Sequence, residues 1–231
     1  MKWIWRRSVN YRMFAYYYDM FVDEDLNDQY VSIINEYKQS GDVLDLGCGT
    51  GKLSVQLALN GYFVTATDIS TDMLDVGYHN ALMNDVRVQY FVHDILDTVN
   101  RDYDIIVMSS DVINYMNQID DVKKAFENVS LAMNSESIFI FDTLRHDFVK
   151  KLDGHHEELL LPDNVFIWDV VGTNIDGQIK HNVKIGTETE IHHQRAFPIK
   201  EYTRLLDEVG LKVIKKVKNE DRFILVCKKE M

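Results

Sequence analysis

Three glycines at alternate positions, Gly47, Gly49 and Gly51, follow a short apolar run broken by Asp45, and Cys48 sits among them. Glycines in this register keep side chains from standing between a ligand and the backbone, and each can take the positive φ of a tight turn. Such a turn between a strand and a helix is the ligand-binding corner of an open α/β sheet. Asp68 and Asp94 end two later apolar runs, 62–67 and 88–92. A carboxylate at the end of the second strand can accept both hydroxyl hydrogens of a ribose, so Asp68 points to an adenosine-type ligand. Ser109, Ser110, Asp111, Asn114 and Tyr115 follow the apolar run 103–108. Residues just past the carboxyl end of a central strand face the ligand crevice. The last polar cluster is His192-His193-Gln194-Arg195. On a strand its neighbours point to opposite faces, so the two histidines cannot chelate one metal, whereas His193 and Arg195 share a face. Arg195 can bind a carboxylate or phosphate with its planar fork, and His193 can act as a general base.

The glycine spacing separates two cofactor classes. The dinucleotide fingerprint is G-x-G-x-x-G, but here the pattern is G-x-G-x-G, with Lys52 where the third glycine would fall. Together with Asp45 it resembles motif I of the class I S-adenosylmethionine (SAM) dependent methyltransferases. The combination of Asp45, the three glycines, Asp68 and Asp94 carries the resemblance, which covers almost the whole chain and is to the small bacterial branch. It implies that Gly47, Cys48, Gly49 and Gly51 pass under the methionine part of SAM, with Asp45 near its amino group. Ile69 is placed to pack on the adenine, Met73 lies on the inner side of the next helix, and the resemblance takes Asp94, followed by Ile95, to the adenine amino group. Asp94 as a plain turn residue is the other reading. Ser110 and its neighbours would border the transferable methyl group. Phe14 to Asp19 resembles an N-terminal cap whose tyrosines close over SAM, which makes Tyr18 and Tyr16 candidates. Glu190 to Phe197 is similar to a segment that places His193 and Arg195 over the active site.

The candidate catalytic residues are thus Asn114, Asp111, His193 and Arg195. Asn114 and Tyr115 resemble part of the N-P-P-Y motif of amino-methylating enzymes, but both prolines are missing, and Asn114 can equally satisfy loop backbone. His193 and Arg195 can equally be ion-paired surface residues. Methyl transfer from a sulfonium needs mainly orientation and desolvation, with a base only where the acceptor must lose a proton. Two other classes stay open: a non-catalytic SAM-binding protein and an NAD(P)-dependent oxidoreductase.

The expected frame is a doubly wound, Rossmann-like α/β fold with a seven-stranded sheet whose last strand is reversed. Residues 1–145 and 197–231 would form the SAM-binding core with its N-terminal helical cap. Residues 146–196 would form a small antiparallel β insert after the fifth strand, a lid or a dimer surface. Its strands are expected at 165–172, 179–185 and 188–197, the first two joined by a turn at Asp176-Gly177. Helices are expected at 25–37, 52–59, 71–80 and 120–133, and from Pro198 to 209. The fifth strand is expected at 137–141.

The chain has 231 residues and a net charge of −12, which gives no basic field for nucleic acid and favours a small or basic acceptor. Cys48 and Cys227 lie far apart and suggest neither a disulfide framework nor zinc, so a reducing cytoplasm is expected. Arg6-Arg7 is followed by no apolar segment, and no run is long enough to span a membrane.

Overall fold

The structure, a computed structural model, describes residues 14–19, 24–161 and 163–230. The aromatic residues Tyr11 and Phe21 and the side chain of Tyr16 lie outside the described residues.

The most apolar runs become the middle of a seven-stranded sheet. Its strands are β1 (Asp42–Leu46), β2 (Phe63–Asp68), β3 (Val88–Val92), β4 (Tyr103–Met108), β5 (Met133–Leu144), β10 (Leu211–Lys218) and β11 (Arg222–Lys229). The order is β3-β2-β1-β4-β5-β11-β10. Neighbours from β3 to β5 run parallel, and β11 is antiparallel to both β5 and β10. A parallel strand needs a crossover, and helices supply it: α3 (Lys52–Leu59), α4 (Thr71–Met83), α5 (Ile119–Leu131) and α7 (Ile199–Glu208).

Helices on both faces explain why the central strands read as continuous apolar runs. Ile106, Met108, Phe139 and Phe141 pack with Phe126 of α5 and Tyr202 of α7. Val43, Ile105, Val107 and Ile140 pack on the other side with Leu53 and Leu57 of α3 and with Tyr30 and Ile34 of α2 (Glu24–Tyr37). The short helix α1 (Phe14–Tyr18) places Ala15 on Met73 of α4.

A second sheet of four antiparallel strands lies between β5 and α7 in sequence: β6 (His156–Leu160), β7 (Val165–Gly172), β8 (Gln178–Ile185) and β9 (Glu188–Arg195). The short helix α6 (His146–Val149) leads into it. Several elements differ from the sequence reading. β6 was not expected, because its alternation of His156, Glu157, Glu158 and Leu159 shows no apolar face. β5 starts at Met133, not at Ser137, and α5 stops at Leu131. The reason is pairing: Tyr103 N donates to Ala132 O at 3.0 Å, and Met133 is already in register with Tyr103. Ser137 Oγ bridges the resulting irregularity by donating to Tyr103 O at 2.6 Å.

Candidate active site

The glycine turn joins β1 to α3. Gly47, Gly49 and Gly51 all have positive φ, at 74°, 55° and 72°. The protein itself closes two of the three positions: a Cβ on Gly47 would lie 2.7 Å from Val112, and one on Gly51 would lie 2.6 Å from the Tyr90 hydroxyl. Above Gly49 there is room, for the nearest atom to an added Cβ is Tyr18 Cε1 at 3.6 Å. The turn is thus braced on both sides and open in its middle, as a cradle for a ligand must be.

The neighbouring groups hold this cradle in place. Asp68 ends β2, and its carboxylate accepts the Gly49 N–H at 2.9 Å and the Ser70 N–H at 2.8 Å. Burial raises its pKa, against the lowering effect of these amides. Ser70 caps α4 by accepting the Met73 N–H at 3.3 Å. Asp19, at the end of α1, accepts from the Thr50 hydroxyl and from Asn80 Nδ2, the latter at 3.1 Å. Lys52 Nζ donates to the Asp19 carbonyl at 3.0 Å. These bonds set Tyr18 over the glycine turn.

One cavity of about 410 Å³ runs from this turn to the inner face of the second sheet. Its near wall is Tyr18, Gly47, Cys48, Gly49, Thr50, Asp68 and Met73. Its floor is Ser109, Ser110, Asp111 and Tyr115, past the end of β4. Its far wall is Phe148, Leu152, Phe166, Trp168, His181, His192 and Gln194. Ser110 and Asp111 both hold left-handed backbone, with φ of 58° and 54°. That conformation costs residues with a β-carbon roughly 1–2 kcal/mol each, and strain of this kind gathers where a side chain must be aimed.

Beneath the floor lies an ion network. Asp142 on β5 is fully buried; it accepts from Tyr30 Oη at 2.7 Å, from Arg222 Nη1 at 2.7 Å and from the Asp111 N–H at 2.9 Å. Arg222, on β11, also meets Asp221 at 2.8 Å and Asp111 at 3.4 Å. Burial would lower the Arg222 pKa, but the three carboxylates raise it, so the guanidinium stays charged.

The comparisons agree with this geometry. Residues 43–135 match the model of a family described as methyltransferase domain. A provisionally named methyltransferase of Geobacillus sp. strain WCH70 is 25% identical over 226 residues, 89% of this chain and 90% of the relative. A second provisionally named methyltransferase, from Bacillus subtilis strain 168, is 26% identical over 223 residues, covering 88% and 87%. The crystal structure of a SAM-dependent methyltransferase from Clostridium acetobutylicum superposes with a TM-score of 0.80 at 23% identity, covering 96% of this chain and 99% of the other. These likenesses support a class I SAM-dependent methyltransferase, with the methyltransferase domain matched over residues 43–135.

The cradle of this methyltransferase fits SAM on its own geometry: the gap over Gly49 admits a ligand against bare backbone, and Asp68 stands beside it. Of the residues expected at the site, Tyr18, Gly47, Cys48, Gly49, Asp68, Met73, Ser110 and Asp111 line the cavity. The others lie elsewhere. Asp45 is fully buried behind the turn, where it accepts from Ser54 Oγ at 2.6 Å. Gly51 faces Tyr90, not the cavity. Ile69 is 41% exposed, and Ile95 packs on the core beside α5. Asp94 accepts the Leu96 N–H at 2.9 Å, a local turn bond.

Three of the four catalytic candidates are also displaced. Asn114 is fully buried, with Nδ2 donating to Thr143 Oγ1 and Arg195 O, each at 3.0 Å, and Oδ1 accepting the Leu144 N–H at 2.9 Å. It ties the loop after β4 to both sheets, and its polar atoms are spent there. His193 is exposed because β9 pairs His192 with His181 and His193 with Lys180, which turns the His193 face outward. Arg195 donates to Asn117 O at 3.1 Å and to Asp176 O at 3.2 Å, and lies over the Phe197 ring. The inner face of β9 instead presents His192 and Gln194. Sequence reasoning chose the wrong face of this strand.

Asp45 is expected to make the stability of the methyltransferase depend on pH. Burial raises its pKa from the ordinary 3.8 to about 7, the Ser54 hydrogen bond lowers it and Asp68 raises it further. Between these values the folded state holds a proton that the unfolded state has lost, so stability falls as pH rises. The Asp45 contribution is fully present below pH 3.8 and is lost by pH values above about 7. In Asp45→Asn, urea midpoints measured from pH 4 to 8 should follow a flatter course than in the wild type. An unchanged slope would remove Asp45 from the pH dependence.

Proposed function

We propose that this methyltransferase acts on a small molecule held between the floor past β4 and the inner face of the second sheet. The observation that carries the reading is the single cavity that joins the SAM cradle to an aromatic wall. Its volume falls in the range of small-molecule sites, and its lining is apolar with a few convergent polar groups. In this reading the segment 146–196 acts as the acceptor-binding lid on a core of residues 1–145 and 197–231. Phe166 and Trp168 seat the acceptor, and Tyr18 and Tyr115 exclude water around the reacting atoms. Bound SAM supplies an electrophilic methyl group on a sulfonium, and S-adenosylhomocysteine remains after transfer.

The net charge of −12 speaks against a nucleic-acid acceptor. Cys48 and Cys227 are unpaired, in keeping with a reducing cytoplasm. No helix among the described residues is long and apolar enough to cross a membrane. Exposed Ile191 and Leu160 on the second sheet leave room for a homodimer contact.

Methyl-labelled SAM, incubated with the protein and a bacterial lysate split by size, tests the reading. Label in the metabolite fraction is expected. Label confined to protein or RNA would overturn the small-molecule acceptor.

A further inference from the structure

The far wall and the floor of the cavity are joined by one directed chain of hydrogen bonds. Trp168 Nε1–H donates to His181 Nδ1 at 3.0 Å. This leaves the His181 proton on Nε2, 3.0 Å from Gln194 Oε1. Gln194 therefore turns its amide nitrogen to the floor, where Nε2–H donates to Asp111 Oδ2. Burial pushes the His181 pKa down to about 4, so the ring is a neutral donor with one tautomer. Each link fixes the next, and the chain ends on Asp111, the one of the three cavity carboxylates held by left-handed backbone.

We propose that Asp111, aimed by the positioning residues His181 and Gln194, is the proton acceptor of the reaction, and that the substrate is an amine on an apolar or aromatic body. This rests on the small-molecule reading above and names the substrate class for that site.

The charges on the cavity wall select the amine. Its carboxylates are Asp68, Asp111 and Asp221, and its Lys and Arg side chains are Lys52 and Arg222. Both cations are engaged, Lys52 on the Asp19 carbonyl and Arg222 on Asp142 and Asp221. An anionic acceptor would meet Asp111 with those cations already committed. An ammonium would meet Asp111 directly, among the rings of Tyr18, Tyr115 and Trp168, whose faces attract cations. The ammonium passes one proton to the Asp111 carboxylate. The freed nitrogen lone pair then forms the N–C bond to the methyl carbon as the C–S bond of SAM breaks, its electron pair remaining on sulfur. Asp111 finally releases the proton to water.

The groups facing Asp111 are Arg222 from β11, Asp142 from β5, Gln194 from β9, Tyr18 from α1 and Tyr115 from the turn after β4. Burial raises Asp111 to about 6, Arg222 lowers it, Asp142 raises it, and the Gln194 hydrogen bond lowers it. The carboxylate is therefore mostly ionised at neutral pH, as a base must be.

Calorimetric titration in the presence of S-adenosylhomocysteine tests this with phenethylamine, 2-phenylethanol and 3-phenylpropanoate as probes. The amine should bind tightest at pH 8, and Asp111→Asn should weaken it by about 10- to 100-fold, the loss expected for one hydrogen bond to a charged group. The alcohol should change by less than about 2-fold in the same variant, since its neutral hydroxyl makes no charge-assisted bond. Amine affinity should fall below a midpoint near pH 6. Gln194→Leu should move that midpoint upward, because it removes a donor that favours the ionised carboxylate. A Gln194 that only packs would lower affinity at every pH and leave the midpoint in place. An amine signal no greater than the others, including no signal from any probe, overturns the assignment. Failure of S-adenosylhomocysteine itself to bind the wild type would instead strike the cofactor reading on which the proposal stands.

Discussion

Asp68→Ala is expected to abolish the rise in Tm that SAM gives the wild type. The carboxylate already accepts the Gly49 and Ser70 amides, yet each oxygen keeps a lone pair for a ribose hydroxyl. Losing two hydrogen bonds to a charged group should weaken SAM by about 100-fold or more. A ligand present at 100 times its Kd stabilises by about 2.7 kcal/mol, and after such a loss the gain shrinks to a few tenths. Thermal denaturation with SAM, S-adenosylhomocysteine and NADH, on wild type and variant, reads this directly. The first two should shift the wild type alone, and NADH neither protein. A full SAM shift surviving in Asp68→Ala would separate the ribose contact from Asp68.

Arg222→Ala should have the largest effect on stability. Asp142 has no exposed surface, and Arg222 Nη1 sits 2.7 Å from it with its side chain 12% exposed. Removing one partner of a buried pair leaves the other charge without compensation, at a cost of about 3–5 kcal/mol. Tyr30 would still donate to Asp142, but a neutral hydroxyl cannot replace a cation. In urea unfolding the double variant Arg222→Met/Asp142→Leu should recover most of the loss, because apolar groups of similar volume tolerate the same burial. A single-variant loss below about 1 kcal/mol would mean that water or a rearrangement reaches Asp142.

The cradle was legible in the sequence because its chemistry is local. Three glycines at alternate positions, and a carboxylate at the end of the next strand, have few uses besides holding an adenosine-type ligand. The seven-stranded sheet was legible from apolar runs alternating with helices, and the reversal of its last strand from the family likeness that the cradle residues carry. Residues that answer to distant partners were not legible. Asn114 looked like a ligand contact because its partners, Thr143 and Leu144 of β5 and Arg195 of β9, come from two later strands. Asp45 looked like a contact by its place in the motif, but a strand residue one pleat away from the turn points behind it.

The face of β9 could have been found. Phe166, Trp168 and Val170 alternate as one apolar face, and so do Ile179, Val183 and Ile185, with His181 among them. The tight turn at Gly186 and Thr187 pairs Ile185 with Glu188, which fixes His181 opposite His192 and leaves His193 outside. Hairpin register, counted from the turn, would have replaced His193 and Arg195 with His192 and Gln194.

The antiparallel strand β11 has a meaning for biosynthesis. It follows the other described strands in the sequence, yet it lies inside the sheet between β5 and β10. A chain emerging from the ribosome must carry β5 with one edge bare while the whole second sheet is still being made. An unpaired strand containing Phe139, Ile140 and Phe141 is a template for the wrong partner. The strand that covers this edge also delivers Arg222 to the floor of the cavity, so shielding the nascent chain and completing the site are one event.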